Sequence, residues 1–313
     1  MPQFIADEQQ AKKRIDQVLV GVLGLSREKI QSLIKSGEIT LNDKPAKPHT
    51  PVQLNDVIVY PVISTKKPKQ EVSTIELPIL FEDDTLLVIN KPAGLIVHRT
   101  NEIDTRPSVI DLLLKKYKGI KKVGEPSKPG HTNMRPGIVH RLDREVSGVM
   151  VIAKTQDMFE NLKKQFQTRT VEKQYTALVY GKLPKEHDQI KFAIARSKSQ
   201  GRMVARTGDQ EGKEALTDWD VVERLKNTTL VNVKIHTGRT HQIRVHFLAI
   251  DHPVVGDRLY RKKSMRHTKE KNLGRLFLHA HSLTFQLADG TPKTITVPLP
   301  AELKQVLDAL PRK

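Results

Sequence analysis

No cysteine occurs anywhere in the 313 residues. Disulfides, thiolate zinc sites and cysteine nucleophiles are excluded together, and the chain suits a reducing compartment. Aromatic residues are scarce, at 4%. A broad base-stacking platform is therefore not expected, and phosphate contacts should dominate any affinity for nucleic acid. Long apolar runs are missing too: Val18 to Leu25, the most apolar stretch near the N-terminus, is far too short to span a bilayer. The opening MPQFIADEQQAKKR carries acids and no apolar signal core. A soluble cytoplasmic protein without membrane contact is the expectation. Glycine motifs of the P-loop or dinucleotide type are absent, which argues against an NTPase or dehydrogenase. His236, His241 and His246 are spaced by five, off any single helical face, and His279 and His281 have no obvious carboxylate beside them. No metal site is expected.

What the chain does have is positive charge. Lys and Arg number 53 against 35 Asp and Glu, a net +18, which points to a polyanionic partner. The charge is unevenly spread: residues 1–64 hold eight basic and seven acidic residues, leaving +17 for the rest. Two runs stand out, KKYKGIKK from Lys115 to Lys122, and Arg258 to Arg275 with eight basic residues and one acid, Glu270. Either could be a solvated face.

The length suggests two domains. In the first, a helix is expected from Arg27 to Ser36, capped by Ser26, with Glu28 in its first turn and Gly37 as its stop. Ile30, Leu33 and Ile34 make its apolar face. Ile39 and Leu41 alternate with polar neighbours, Asn42 and Asp43 make a turn, and Val57 to Val59 form another strand. RIDQVL, LSREKIQSLIKSGEITLND and LNDVIVYPV together resemble an S4-type RNA-binding domain over about residues 13–62, in which Arg14, Arg27, Lys29 and Lys35 could share one face. The expected division is 1–63 for this domain, 64–74 for a polar, proline-containing linker, and 75–313 for a second domain.

In that second domain Leu86 to Ile89 and Val149 to Ala153 read as buried strands, and Val231, Val233 and Ile235 as one face of a half-buried strand. A helix is expected from about Met158 to Gln167, with Asp157 and Glu160 at capping-box spacing. Helices scattered among many strands favour α+β: a mixed, largely antiparallel central sheet flanked by helices and loops.

The chemistry centres on RPGIVHRLDREVSGVMVIAK, Arg135 to Lys154. A strand from Ile138 to His140 should lead into a turn from Asp143 to Gly148 and then a buried strand, placing one carboxylate at a cleft edge. An isolated loop aspartate is usually just a turn residue. HRLD, followed by Ser147 and Gly148, resembles the active-site motif of RluA-family RNA pseudouridine synthases. NKPAGLIVH (Asn90 to His98), EKQYTALVYG (Glu172 to Gly181), GKEALTDW (Gly212 to Trp219), HTGRTHQIRVH (His236 to His246), HPVVGDRLY (His252 to Tyr260) and RLFLHAHSL (Arg275 to Leu283) resemble further motifs of that family, in the same order. The S4-like part resembles its RluD-like branch acting on large-subunit ribosomal RNA. Small-subunit synthases usually carry Gly where His140 stands. Val146 departs from the family's usual Thr, a near-isosteric change.

The resemblance implies that Asp143 is the essential carboxylate, paired with Arg244. An opposite charge at contact distance favours an ionised carboxylate in a drier site. It implies that Tyr175 stacks on the uracil and helps remove the C5 proton, and that Leu278 packs on the base. Arg141 should fill the space left by the flipped uridine. His140 and Lys91 join these on the substrate side, and Arg202, Arg239, Arg258, Lys262 and Lys263 are assigned to RNA contact. The reaction breaks N1–C1′ and joins C5 to C1′ with no redox change and no group donor, so no cofactor is implied. Asp143 could attack C1′, attack C6 or act as a base on C2′. Taken singly, Tyr175 could be a strand tyrosine, Arg244 a surface helix residue, Leu278 core, and Lys91 and Gly94 turn-shaping residues. The competing reading is a non-catalytic RNA-binding or ribosome-assembly factor on the same fold. A monomer is the default.

Overall fold

The computed structural model describes residues 2–25, 27–61, 75–99, 104, 106–125, 135–197, 199–208, 210–262 and 273–312. The expected linker, the Ser26 cap, Lys263 and much of the second basic run lie outside them, as does the Lys29 side chain. The chain divides into two compact units, residues 1–71 and 72–313. Among the described residues no helix is long and apolar enough to cross a membrane.

The first unit runs β1 (Gln3–Ile5), α1 (Ile15–Leu23), α2 (Arg27–Lys35), β2 (Thr40–Leu41), β3 (Lys44–Pro45) and β4 (Val57–Val59), with sheet order β1-β4-β2-β3. Asn42 and Asp43 both adopt positive φ, 49° and 59°, and Leu41 pairs with Lys44 across them. Asn and Asp tolerate that left-handed backbone, which gives a tight two-residue hairpin. Ile30, Leu33 and Ile34 of α2 close on Ile15 and Leu19 of α1. Burying each such side chain contributes roughly 1.5–3 kcal/mol. Asp16 is buried at the start of α1, clasped by Arg14 (3.0 Å), Arg27 (3.0 Å) and Gln31 (2.7 Å). Burial opposes its charge, but these three partners hold its pKa below the usual carboxylate value.

The second unit holds β5 (Ile79–Glu82), β6 (Leu86–Lys91), α3 (Val109–Lys116), a 3₁₀ turn over Lys118–Lys122, β7 (Ser147–Ala153), α4 (Gln156–Gln167), β8 (Glu172–Tyr180) and β9 (His187–Ile190). β10 (Ala193–Arg196), β11 (Met203–Arg206), β12 (Thr217–Arg224), β13 (Thr228–Ile235), α5 (Gln242–Ala249), β14 (Leu278–Gln286), β15 (Pro292–Thr296) and α6 (Ala301–Asp308) follow. A nine-stranded sheet is ordered β5-β6-β7-β14-β8-β13-β12-β9, with β15 also on β14. Among the described strands of this sheet only β7 and β14 run parallel, so the sheet is mixed and largely antiparallel.

Both faces are covered, which explains the unbroken apolar strands. Leu86 and Val88 of β6, with Val149 and Val151 of β7, pack on Met158, Phe159 and Leu162 of α4. Leu87 and Ile89, with Met150 and Ile152, pack on Val109 and Leu113 of α3. Farther along, Ala177, Val231 and Val233 meet Ile243 and Phe247 of α5, and Leu178 and Leu230 lie with Leu303 of α6.

Two local expectations are corrected. α4 begins at Gln156 and its cap is Thr155, whose hydroxyl accepts from the Met158 N–H. Thr155 has the extended φ/ψ that a cap requires, and Asp157 falls inside the first turn. Ile138 to His140 is not a strand: Ile138 makes one bridge to Ile152 and the chain bends at Val139.

Candidate active site

Asp143 opens a tight turn directly ahead of β7, its carbonyl accepting the Val146 N–H at 3.1 Å. The turn is clamped from below. The Arg144 carbonyl accepts the Gly94 N–H (2.8 Å) and Lys91 Nζ (3.2 Å), while Lys91 also donates to the carbonyls of Pro92 (2.8 Å) and Leu95 (2.9 Å). Burial pushes the Lys91 ammonium down to about 7, against the pull of Asp143. Three carbonyls match the three donors of an ammonium. Lys91 therefore supports the backbone beside Asp143 from the interior instead of opening into the pocket. Gly148 is required just beyond: its φ is +127°, and a Cβ there would stand 2.1 Å from the Ala280 carbonyl oxygen, where β7 and β14 pair.

Arg244 comes from the first turn of α5 and is only 7% exposed. Its Nη1 donates to Asp143 Oδ2 at 3.1 Å. The rest of the guanidinium faces Asp257, with Nε–Oδ2 2.6 Å and Nη2–Oδ1 2.9 Å. Asp257 is itself fixed by the N–H groups of Leu259 and Tyr260, each 2.9 Å from Oδ1. Burial disfavours the Arg244 charge, yet the bonds and field of Asp257, joined by Asp143, raise its pKa above the ordinary value. The fork is thus locked on one side by a buried carboxylate and presents its remaining edge to Asp143.

Around Asp143 lies a pocket walled by Val146, Tyr175, Ile235, His241 and Leu278, with Arg141 and Arg239 at its sides. Tyr175 projects from β8 and Leu278 from the start of β14, both nearly fully buried. Burial and the Asp143 charge push the Tyr175 hydroxyl up, so the phenol stays protonated. His241 caps α5 in a left-handed backbone conformation, φ 58°, rare for a residue with a Cβ. Its Nδ1 lies 2.8 Å from the Tyr260 hydroxyl and its Nε2 3.9 Å from Asp143 Oδ2. Burial lowers its pKa, with Asp143 opposing. A pocket that sets one carboxylate, one locked guanidinium and one neutral phenol beside the apolar Val146, Ile235 and Leu278 is suited to chemistry at a flat, uncharged ring.

Asp143, Arg141, Tyr175, Arg244, Leu278 and Arg239 thus meet in one place. Other anticipated residues do not. His140 is half-buried at the neighbouring cleft, its ring stacked 4.6 Å from Phe166 and its Nε2 accepting the Val151 N–H at 3.1 Å. Burial, aided by Lys173, pushes it down to about 3. Arg202 lies over the Tyr260 ring, 5.4 Å from its centroid. Lys262 pairs with Asp251 at 2.7 Å, and Arg258 is exposed. In the first unit Arg14 and Arg27 are turned to Asp16, while Lys35 is exposed. His236 faces Asp218, and His246 faces Thr217 and the Phe192 carbonyl. Asp257 and His241 carry no assigned role in the sequence reading. The signal for both was their place within HPVVGDRLY and HTGRTHQIRVH.

The family model described as RNA pseudouridylate synthase matches residues 85–249, and the S4 domain model matches 13–58. A protein of Chlorobaculum parvum named "Uncharacterized RNA pseudouridine synthase" is 36% identical, covering 96% of this chain and 95% of that one. "Ribosomal large subunit pseudouridine synthase C" of Pasteurella multocida is 35% identical over 97% of this chain and 92% of its own. Among solved structures, "Human RNA Pseudouridylate Synthase Domain Containing 1" aligns with a TM-score of 0.57 at 27% identity, covering 76% of this chain and 97% of that one.

Proposed function

From the premise that this chain belongs to the RNA pseudouridylate synthase family, we propose that it isomerises uridine to pseudouridine in large-subunit ribosomal RNA, with Asp143 as the reacting carboxylate. One observation carries the assignment of Asp143. It is the carboxylate that lines the pocket, and Arg244 donates to it from a position that Asp257 fixes. The relatives named for the large ribosomal subunit and the S4 domain support the choice of RNA.

In this reading the target uridine swings out of its stack into the pocket. Tyr175 and Leu278 hold the two faces of the base, and Arg141, exposed at the mouth, takes the space it leaves. N1–C1′ breaks, the uracil turns, and C5–C1′ forms; C5 gives up its proton and N1 ends with one, so substrate and product are isomers. Tyr175, protonated at rest, serves as a proton relay at C5 and not as a standing base. Attack on C1′, attack on C6 and base action at C2′ are all within reach of a carboxylate held here. The chain's cysteine-free composition suits the reducing cytoplasm, where it acts as a monomer.

A pure assembly factor would need the basic surface and the S4 domain but not an arginine locked against a pocket carboxylate. Incubating the protein with transcripts and precursor particles of both subunits, then mapping pseudouridine by carbodiimide-dependent stops, tests the reading. A few defined stops in large-subunit RNA are expected. RNA binding with no new stop in any substrate would favour the assembly factor.

A further inference from the structure

Beside the uridine pocket runs a second cleft within the same unit, sharing Arg141, Tyr175 and Arg239 with it. Lys173 lines this cleft two residues before Tyr175 on β8, so strand alternation puts both side chains on one face. Lys173 is only 8% exposed. Its Nζ stands over the Phe166 ring, 5.8 Å from the centroid, and Phe166 is backed by the stacked His140. Among the described residues no acid offsets its charge: burial and the repulsion of Arg169 both lower its pKa. The remaining cations of the cleft are loosely held. Arg169 meets Glu214 at 3.5 Å, and that glutamate side chain is 77% exposed, a contact worth little in water. Arg239 uses Nε on the Glu214 carbonyl, leaving the outer edge of its guanidinium. Among the described residues no aspartate or glutamate lines the cleft.

We propose that this cleft is a phosphate subsite centred on Lys173, taking the phosphodiester of a nucleotide that flanks the flipped uridine. An ammonium buried to this degree without a counter-charge is costly, and an anion arriving with the substrate supplies what the fold withholds. Continuity with the uridine pocket identifies that anion, because an RNA chain leaving the pocket carries one phosphate per nucleotide. Charge-assisted bonds from Lys173, with Arg239 and Arg141 alongside, would set the register of the chain and not its sequence. The proposal rests on the uridine-isomerising reading for its substrate.

Short hairpins tiled from large-subunit ribosomal RNA serve as probes for the full-length protein, Lys173→Met, Lys173→Arg, and Lys304→Met as an exposed control on α6. Binding is followed across a sodium chloride series, and pseudouridine is counted in the same samples. Lys173→Met is expected to bind about tenfold more weakly and to flatten the slope of log K against log salt by about 0.7–0.9, the signature of one lost phosphate contact. Lys173→Arg should keep the slope, Lys304→Met should match wild type, and the thermal midpoint of Lys173→Met should hold or rise. With a neutral methylphosphonate at each linkage in turn, one linkage beside the uridine should weaken wild type and leave Lys173→Met indifferent. This scan on wild type alone keeps the test open should the variant misfold. An unchanged slope, or no sensitive linkage beside the uridine, overturns the subsite. Pseudouridine formed with an unchanged slope would remove the subsite and leave the enzyme; a changed slope with no pseudouridine in any hairpin would keep the phosphate site and remove the enzymatic reading.

Discussion

Replacing Asp257 by asparagine isolates what the buried carboxylate does for Arg244. Four bonds converge on Asp257: Arg244 Nε and Nη2, and the N–H groups of Leu259 and Tyr260. An asparagine oxygen can keep the three at the Oδ1 position, but its NH₂ would then face Arg244 Nε–H, donor against donor. Arg244 would also be left buried with Asp143 as its remaining counter-charge. Removing one partner of a buried ion pair costs about 3–5 kcal/mol. At roughly 2–4 °C per kcal/mol for a domain of this size, the midpoint should fall by about 6–20 °C. The fork would tilt toward Asp143, and a displacement of about 1 Å in a positioning group costs on the order of 10²-fold in rate. Asp257 does not line the pocket, so RNA affinity should hold. Single-turnover pseudouridine formation at saturating enzyme, binding and thermal unfolding, measured well below the midpoint, separate these effects. A rate within about threefold of wild type despite the lowered midpoint would refute the idea that Asp257 aims Arg244.

Tyr175→Phe should leave fold and RNA binding intact while slowing the reaction by about 10²–10⁴-fold, the usual range for a lost proton-transfer group; an unchanged rate would reduce Tyr175 to a stacking surface. Gly148→Ala should lower the thermal midpoint severely, since its Cβ would meet the Ala280 carbonyl at 2.1 Å; an unchanged midpoint would contradict the close β7–β14 contact. Acid should destabilise the protein through two enclosed histidines: burial, with nearby positive charges, pushes His98 and His279 each to about 4. Their folded pKa values lie below the unfolded value of about 6.5, so the stability they hold is complete above about 6.5 and is lost as pH falls toward 4. At pH 4.5 each should have cost about 2–3 kcal/mol, read by urea unfolding at pH 7 and pH 4.5; equal stability at both would show that these rings protonate without unfolding the chain.

Much of this was legible because it is periodic or local. The runs at Leu86 and Val149 read as buried strands because helices cover both of their faces, and α2 announced itself through Ile30, Leu33 and Ile34. Asn42 and Asp43 marked their own turn. The motifs around Asp143, Tyr175 and Arg244 singled out residues that the fold brings to one pocket, although Asp143 and Arg244 are 101 positions apart. What was not legible depends on three dimensions. Asp257 looked like one more loop acid, because nothing in a single sequence tells which arginine a carboxylate will bury. His241 gives no sign in sequence of its left-handed backbone. Asp157 and Glu160 had capping-box spacing, yet Thr155 capped α4 because it occupies the extended position ahead of the first turn. Lys91 was placed on the substrate side, whereas the fold uses it from within, under the Asp143 turn; His140 lies outside the Asp143 pocket but lines the cleft beside it, its ring stacked on Phe166.

The central claim is that Asp143 reacts and that its neighbours hold it in place. Asp143→Asn keeps the shape and an acceptor for Arg244 while removing the carboxylate. The decisive measurement is pseudouridine formed per enzyme in a single turnover on the mapped ribosomal RNA, for wild type and Asp143→Asn side by side, with RNA affinity measured on both. Equal affinity and no detectable pseudouridine are expected from the variant. Pseudouridine from Asp143→Asn at a rate near wild type would contradict the claim.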